Sequence, residues 1–150
     1  MLKGGVQFNV VPCELYAGFD VRITPTENLV KFEEMIKAWC REAGDDVTYE
    51  FKQKGMNQEM TCVEDGQNPW WDAFSAACKN ENIDIDREVR PSSTDVRYLR
   101  KLGIPALSFS PMNRTPILLH NDNEFLNEDI FLRGIEIYTS IIPAVANVKI

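Results

Sequence analysis

The sequence has 150 residues, 44% hydrophobic and 26% charged, with 8 Gly and 8 Pro, a composition that excludes a mainly disordered or fibrous chain. That length suits one domain or parts of two. Sixteen Lys+Arg against 23 Asp+Glu leave a net charge of −7 and a pI near 4.8, so the surface repels polyanions on average and neither nucleic acid nor an anionic membrane is expected as a partner.

From Glu14 to Ile23 the residues alternate, with Leu15, Ala17, Phe19, Val21 and Ile23 on one face and Tyr16, Asp20 and Arg22 on the other. This pattern predicts a half-buried strand. Thr24 and Pro25 are turn or capping residues, after which Leu29, Phe32, Ile36 and Trp39 recur at helical spacing up to Gly44, a suitable helix exit. Beyond Asp45 and Asp46, Val47, Tyr49 and Phe51 alternate with Thr48, Glu50 and Lys52, predicting a second strand. A strand, helix, strand unit needs more strands than these to be stable, so a partner layer is expected from elsewhere. Lys54 to Gln67 has no apolar period and carries Gly55 and Gly66. It reads as a linker, and the domains are expected to be 1–56 and 57–150.

Asn68 and Pro69 predict a helix start, with Trp70, Trp71, Phe74, Ala77 and Cys78 forming its buried stripe. Ser92, Ser93 or Thr94 can cap a short helix running to Leu102 and ended by Gly103. Ile104 to Phe109 then reads as a short buried strand between Pro105 and Pro111. Asn127 is the cap candidate of a last helix, with Ile130, Phe131, Ile135, Tyr138 and Ile142 at helical intervals up to Pro143. Helices alternating with short strands make the expected fold class α/β.

No window approaches the ~18 apolar residues of a membrane span, and Met1 to Gly5 lacks the basic start and apolar run of a leader peptide, so a cytoplasmic location is expected. Cys13, Cys40, Cys62 and Cys78 are spread without a CxxC pair and are expected to be reduced, structural thiols. Asn113-Arg114-Thr115 fits the glycosylation pattern, which a cytoplasmic chain has no occasion to use.

Three groups of residues suit chemistry. His120, the single histidine, stands where an apolar run turns into the polar loop Asn121-Asp122-Asn123-Glu124. Neutral imidazole is a common zinc ligand, and Asp122 or Glu124 could fix its tautomer, while a surface or hydrogen-bonded histidine is the plainer local reading. One histidine does not make a zinc site, which takes three or four ligands. Thr94 and Arg97 bracket a helix start, a setting suited to a carboxylate or to routine capping. Asn9 and Arg22 can share a face that grips a planar anion, or Arg22 can pair with Asp20 or Glu50. Trp39, Trp70 and Trp71 lie on helix stripes and are expected in the core rather than in a cation-binding cage.

Several runs together carry a resemblance: Gly4-Gly5-Val6-Gln7-Phe8-Asn9-Val10-Val11-Pro12, Phe19-Asp20-Val21-Arg22, Thr94-Asp95-Val96-Arg97-Tyr98, and Phe109 to Pro116 (Phe-Ser-Pro-Met-Asn-Arg-Thr-Pro) leading to Leu119-His120. From about Gly4 to Val145 the chain resembles the C-terminal part of the zinc-dependent aminoacylase and carboxypeptidase family. The resemblance implies hydrolysis of N-acyl-L-amino acids to a carboxylate and a free L-amino acid. It implies an architecture in which residues 1–56 are the C-terminal half of a βαβ-type lid that makes a homodimer, and residues 57–150 the C-terminal part of the α/β catalytic domain. It makes His120 a ligand of one of two zinc ions per subunit, assigns Thr94 and Arg97 to substrate binding, and assigns Asn9 and Arg22 to closing the lid over the substrate amide and carboxylate. Asp95 then orients or caps. The remaining metal ligands and the general base have no counterpart here, so no catalytic residue is expected in this chain and activity is expected to require an N-terminal section. An inactive dimerisation module is the alternative.

Overall fold

Each of the three longer helices starts at an asparagine whose backbone is extended and whose side-chain oxygen caps the first turn. The computed structural model describes residues 1–90, 92 and 94–149. Ser93, one of the expected helix caps, lies outside them. The elements are strand β1 (Leu2–Gly4), strand β2 (Leu15–Ala17) and helices α1 (Leu29–Ala43), α2 (Pro69–Asn80), α3 (Val96–Lys101) and α4 (Glu128–Ala146). Contacts divide the described residues into two units, one of residues 1–56 with 92, the other of residues 57–90 and 94–149.

In the first unit β1 and β2 form an antiparallel ribbon with Leu2 opposite Ala17 and Gly4 opposite Leu15. The ribbon passes so close at Gly4 that a Cβ there would lie 2.8 Å from Leu15 Cδ1 and 2.9 Å from the Glu14 carbonyl oxygen. The strand expected over residues 14–23 is confined to Leu15–Ala17, and its apolar face is open: Phe19 is 84% exposed. A two-stranded ribbon has no layer to cover that face. The strand expected over Val47 to Phe51 joins no ladder, for want of a neighbouring strand among the described residues.

Helix α1 forms as expected but is capped by Asn28 Oδ1, which accepts from Lys31 N at 3.0 Å, while Thr24 to Glu27 make the preceding turn. Gly44 ends it at a φ of 143° that favours glycine. Trp39, expected in the core, is exposed. Glu33 on α1 is the anchor for the segment that follows: it accepts from Tyr49 Oη at 3.1 Å, pairs with Lys37 at 3.4 Å and binds the Lys54 ammonium.

In the second unit α2 packs on α4. The buried core is Trp71, Phe74, Ala77 and Cys78 from α2 with Ile137 and Ile141 from α4. Rings extend it: Phe74 meets Phe109 edge-on at 5.1 Å, and Phe109 meets Tyr138 at 6.0 Å. Gly134 gives α4 its close approach to Pro111, since a Cβ there would stand 3.1 Å from Pro111 Cγ. The helix runs past Pro143 to Ala146. Trp70 is only half-buried, because it lies beside the stripe that faces α4.

The stretch expected to be a linker is tied down instead. Thr61 Oγ1 donates to Ala106 O at 2.8 Å and accepts from Ala106 N at 2.9 Å. Asp65 Oδ1 accepts from Trp71 Nε1 at 2.9 Å and Arg87 Nη2 at 3.2 Å. Asn68, itself buried, accepts from Trp70 N and Trp71 N and donates to Cys62 O at 2.7 Å. Polar side chains took over the anchoring that an apolar period would have announced. Conversely, the buried strand expected over Ile104 to Phe109 joins no ladder, and Ile104 is 48% exposed, since no strand among the described residues lies beside it. All four cysteines are free, and burial raises the Cys78 thiol above its ordinary range. Among the described residues no helix is long and apolar enough to cross a membrane.

Asn68→Ala removes the α2 cap and leaves Cys62 O without its donor, so the chain should lose roughly 1–3 kcal/mol of stability in urea unfolding; Asn68→Asp, which keeps the cap but sets a second oxygen against Cys62 O, should also destabilise the fold. The Lys54 hydrogen bond, then those from Tyr49 and the Lys37 charge, hold the Glu33 carboxyl below its ordinary 4.5 against the opposing effect of burial. A depressed carboxyl stabilises the fold above its unfolded pKa and loses that contribution as pH falls through the folded one. Glu33→Gln should therefore flatten the decline in melting temperature below about pH 4.5.

Candidate functional site

His120 lies in a tight turn closed by Asn121 N donating to Leu118 O at 3.0 Å and followed by a second turn in which Glu124 N donates to Asn121 O at 3.1 Å. Its φ is 64°, in the left-handed region that costs an ordinary side chain roughly 1–2 kcal/mol. Such backbone concentrates where the position of a side chain matters. The imidazole is exposed. Among the described residues no group of three His, Cys, Asp or Glu stands close enough to hold a metal ion, so the residues present do not by themselves make a metal centre.

Thr94 and Arg97 meet at the first turn of α3, where Arg97 N donates to Thr94 O at 3.3 Å. Neither Thr94 nor Ser92 provides the expected cap: the N-cap is Asp95, in helical conformation and without a side-chain cap bond. The Thr94 hydroxyl instead lies 3.3 Å from Ser108 Oγ, tying the helix start to the extended segment after it. The exit follows expectation, with Gly103 at φ 76°, Gly103 N donating to Arg100 O and Ile104 N to Leu99 O.

Arg97 sits in a clasp that the sequence did not announce. Its Nη2 donates to Tyr98 Oη at 2.8 Å and its guanidinium carbon lies 4.8 Å from the centroid of that ring. Asn57 Nδ2 donates to the Arg97 carbonyl at 3.0 Å from forty residues earlier. No spacing rule links Asn57 to Arg97, and Tyr98 could be suspected only from being its neighbour.

Asn9 and Arg22 belong to the other unit. Asn9 is exposed in a turn where Val10 N donates to Gln7 O at 3.2 Å. Arg22 Nη2 pairs with Asp20 Oδ2 at 2.6 Å, both side chains largely exposed, an ion pair of small worth that leaves the guanidinium at the surface.

The sequence matches Peptidase family M20/M25/M40 over residues 1–144. It is 53% identical over 147 residues to Aminoacylase-1 of Mus musculus and 50% identical over 147 residues to Aminoacylase-1 of Homo sapiens. To Aminoacylase-1 of Dictyostelium discoideum it is 47% identical over 157 aligned residues. The alignments cover 98% or 99% of this chain but only 36% to 38% of the relatives, so the chain spans little more than a third of their length.

Replacing His120 tests its strained backbone separately from any chemistry. His120→Gly should keep or raise the thermal midpoint, because glycine takes φ 64° freely, whereas His120→Val should lower stability by about 1–2 kcal/mol.

Proposed function

This chain belongs to Peptidase family M20/M25/M40, and from that membership we propose that it is the C-terminal section of a metal-dependent aminoacylase, which hydrolyses N-acyl-L-amino acids to a carboxylate and a free L-amino acid. The observation that carries the reading is identity of about 50% along almost the whole chain to proteins named Aminoacylase-1 from mammals and from Dictyostelium discoideum. The inactive dimerisation module is not carried forward, because the relatives bear the name of an enzyme.

In this reading residues 57–150 are part of the catalytic domain, and residues 1–56 are half of a lid through which two subunits pair. The unfinished β1–β2 ribbon and its open apolar face support the second assignment, since such a sheet is stable only when completed. His120 is a zinc ligand, one member of a site of two ions whose other ligands come from the remaining section of the enzyme. An ion held there would supply Lewis acidity for hydrolysis of the amide. A single imidazole does not hold the ion, so this chain alone is inactive and no hydrolytic step is assigned to it.

The substrate's carboxylate is the part this chain can recognise. Arg97 presents a planar fork matched to a carboxylate, with the Thr94 hydroxyl at the same helix start. Arg22 and Asn9 supply a second fork and an amide that close over the substrate from the lid, Asn9 donating to the oxygen on which charge develops. The acidic surface and the cytoplasmic location expected from the sequence agree with a small-molecule substrate.

The test is zinc content and N-acetyl-L-methionine hydrolysis, measured for this chain alone and joined to the part of mouse Aminoacylase-1 that it does not match. Zinc and turnover in the joined protein only, both lost in His120→Ala, are expected. A joined protein that folds and binds zinc but gives no turnover would overturn the reading.

A further inference from the structure

Adjacent residues of a helix point about 100° apart and do not ordinarily face each other. Arg97 and Tyr98 do: the guanidinium lies over the phenol ring at 4.8 Å while Nη2 donates to the hydroxyl at 2.8 Å. The ring face beneath the guanidinium and the hydrogen bond to the hydroxyl together restrict where the fork sits more than either does alone.

The helix beneath is fixed as well. Helix α3 has six residues, too few to persist unaided. It is tied at its start by Asn57 Nδ2 to Arg97 O, with Asn57 Oδ1 braced by Glu59 N at 3.0 Å, and near its end by Arg100 Nε to Ala106 O at 2.9 Å. Backbone and guanidinium of the same residue are thus held independently.

We propose that Tyr98 is a positioning residue that sets the plane of the Arg97 fork for a substrate carboxylate, and this rests on the reading of Arg97 given above. Two-point pairing with a carboxylate demands coplanarity, and a fork fixed beforehand loses less side-chain freedom on binding. Tyr98 never touches the substrate; it narrows the orientations Arg97 takes before substrate arrives.

Two readouts test this. In the 150-residue chain, NMR signals of the Arg97 Cδ protons should carry the upfield shift of a stacked ring, kept in Tyr98→Phe and lost in Tyr98→Leu. In the chain joined to the rest of mouse Aminoacylase-1, Tyr98→Leu should raise KM for N-acetyl-L-methionine roughly fivefold with kcat within about twofold, and Tyr98→Phe, which keeps the ring and loses the hydroxyl, should recover part of the loss. Competitive inhibition by N-acetyl-L-methioninamide, which has no carboxylate, should be unchanged in both. An unshifted Arg97 in the parent chain, or a Tyr98→Leu enzyme with unchanged KM, overturns the proposal. If Arg97→Lys raises KM while Tyr98→Leu does not, only the role of Tyr98 falls; if Arg97→Lys changes nothing, the carboxylate-binding reading falls with it.

Discussion

The packing of α2 on α4 is the constraint on which the second unit depends. Trp71, Phe74, Ala77 and Cys78 meet Ile137 and Ile141, and around that contact Phe109, Val63, Ile83 and Ile85 are gathered from segments with no regular structure of their own. A fully buried large side chain contributes about 1.5–3 kcal/mol, so a handful of them must organise nearly everything else. Polar ties then work outward from the apolar contact: Asn68 caps α2 and holds Cys62 O, Asp65 joins Trp71 to Arg87, and Thr61 holds Ala106. The turn containing His120 and the start of α3 are set by segments that lead into or out of that core.

Much of the apolar surface remains open. Phe131, Ile135 and Ile142 lie along an outer stripe of α4 and are all exposed, as are Leu15, Phe19 and Val21 in the first unit. Soluble proteins seldom leave so much apolar area uncovered. Since the chain spans little more than a third of the relatives it matches, these faces accord with the proposal that a further section of the enzyme completes both layers. The strand patterns that joined no ladder lack a neighbouring strand among the described residues: a β-strand is made by its neighbours, whereas a helix satisfies its own backbone.

The candidate site divides along similar lines. His120 could be singled out at the end of an apolar run and Thr94 and Arg97 at a helix start, but their roles came from the runs that carry the family resemblance. Asn57 and Tyr98 could not, because a contact across forty residues leaves no trace in local spacing and an adjacent pair on a helix is expected to diverge. The Arg22–Asp20 pair was legible as one of several acids within reach, since alternation places residues two apart on one face.

By itself the sequence determined the helices, with Asn68 and Asn127 at their starts and Gly44 and Gly103 at their exits, because capping and apolar period act within a few residues. It also carried the family, through runs of identity that no single motif supplies. Only the tertiary structure decided that Thr61, Asp65 and Asn68 anchor an apparent linker, that Trp39 stands exposed, and that His120 takes a left-handed backbone. Each of those depends on which segments meet in space, and contacts between distant residues are not written in the spacing of near ones.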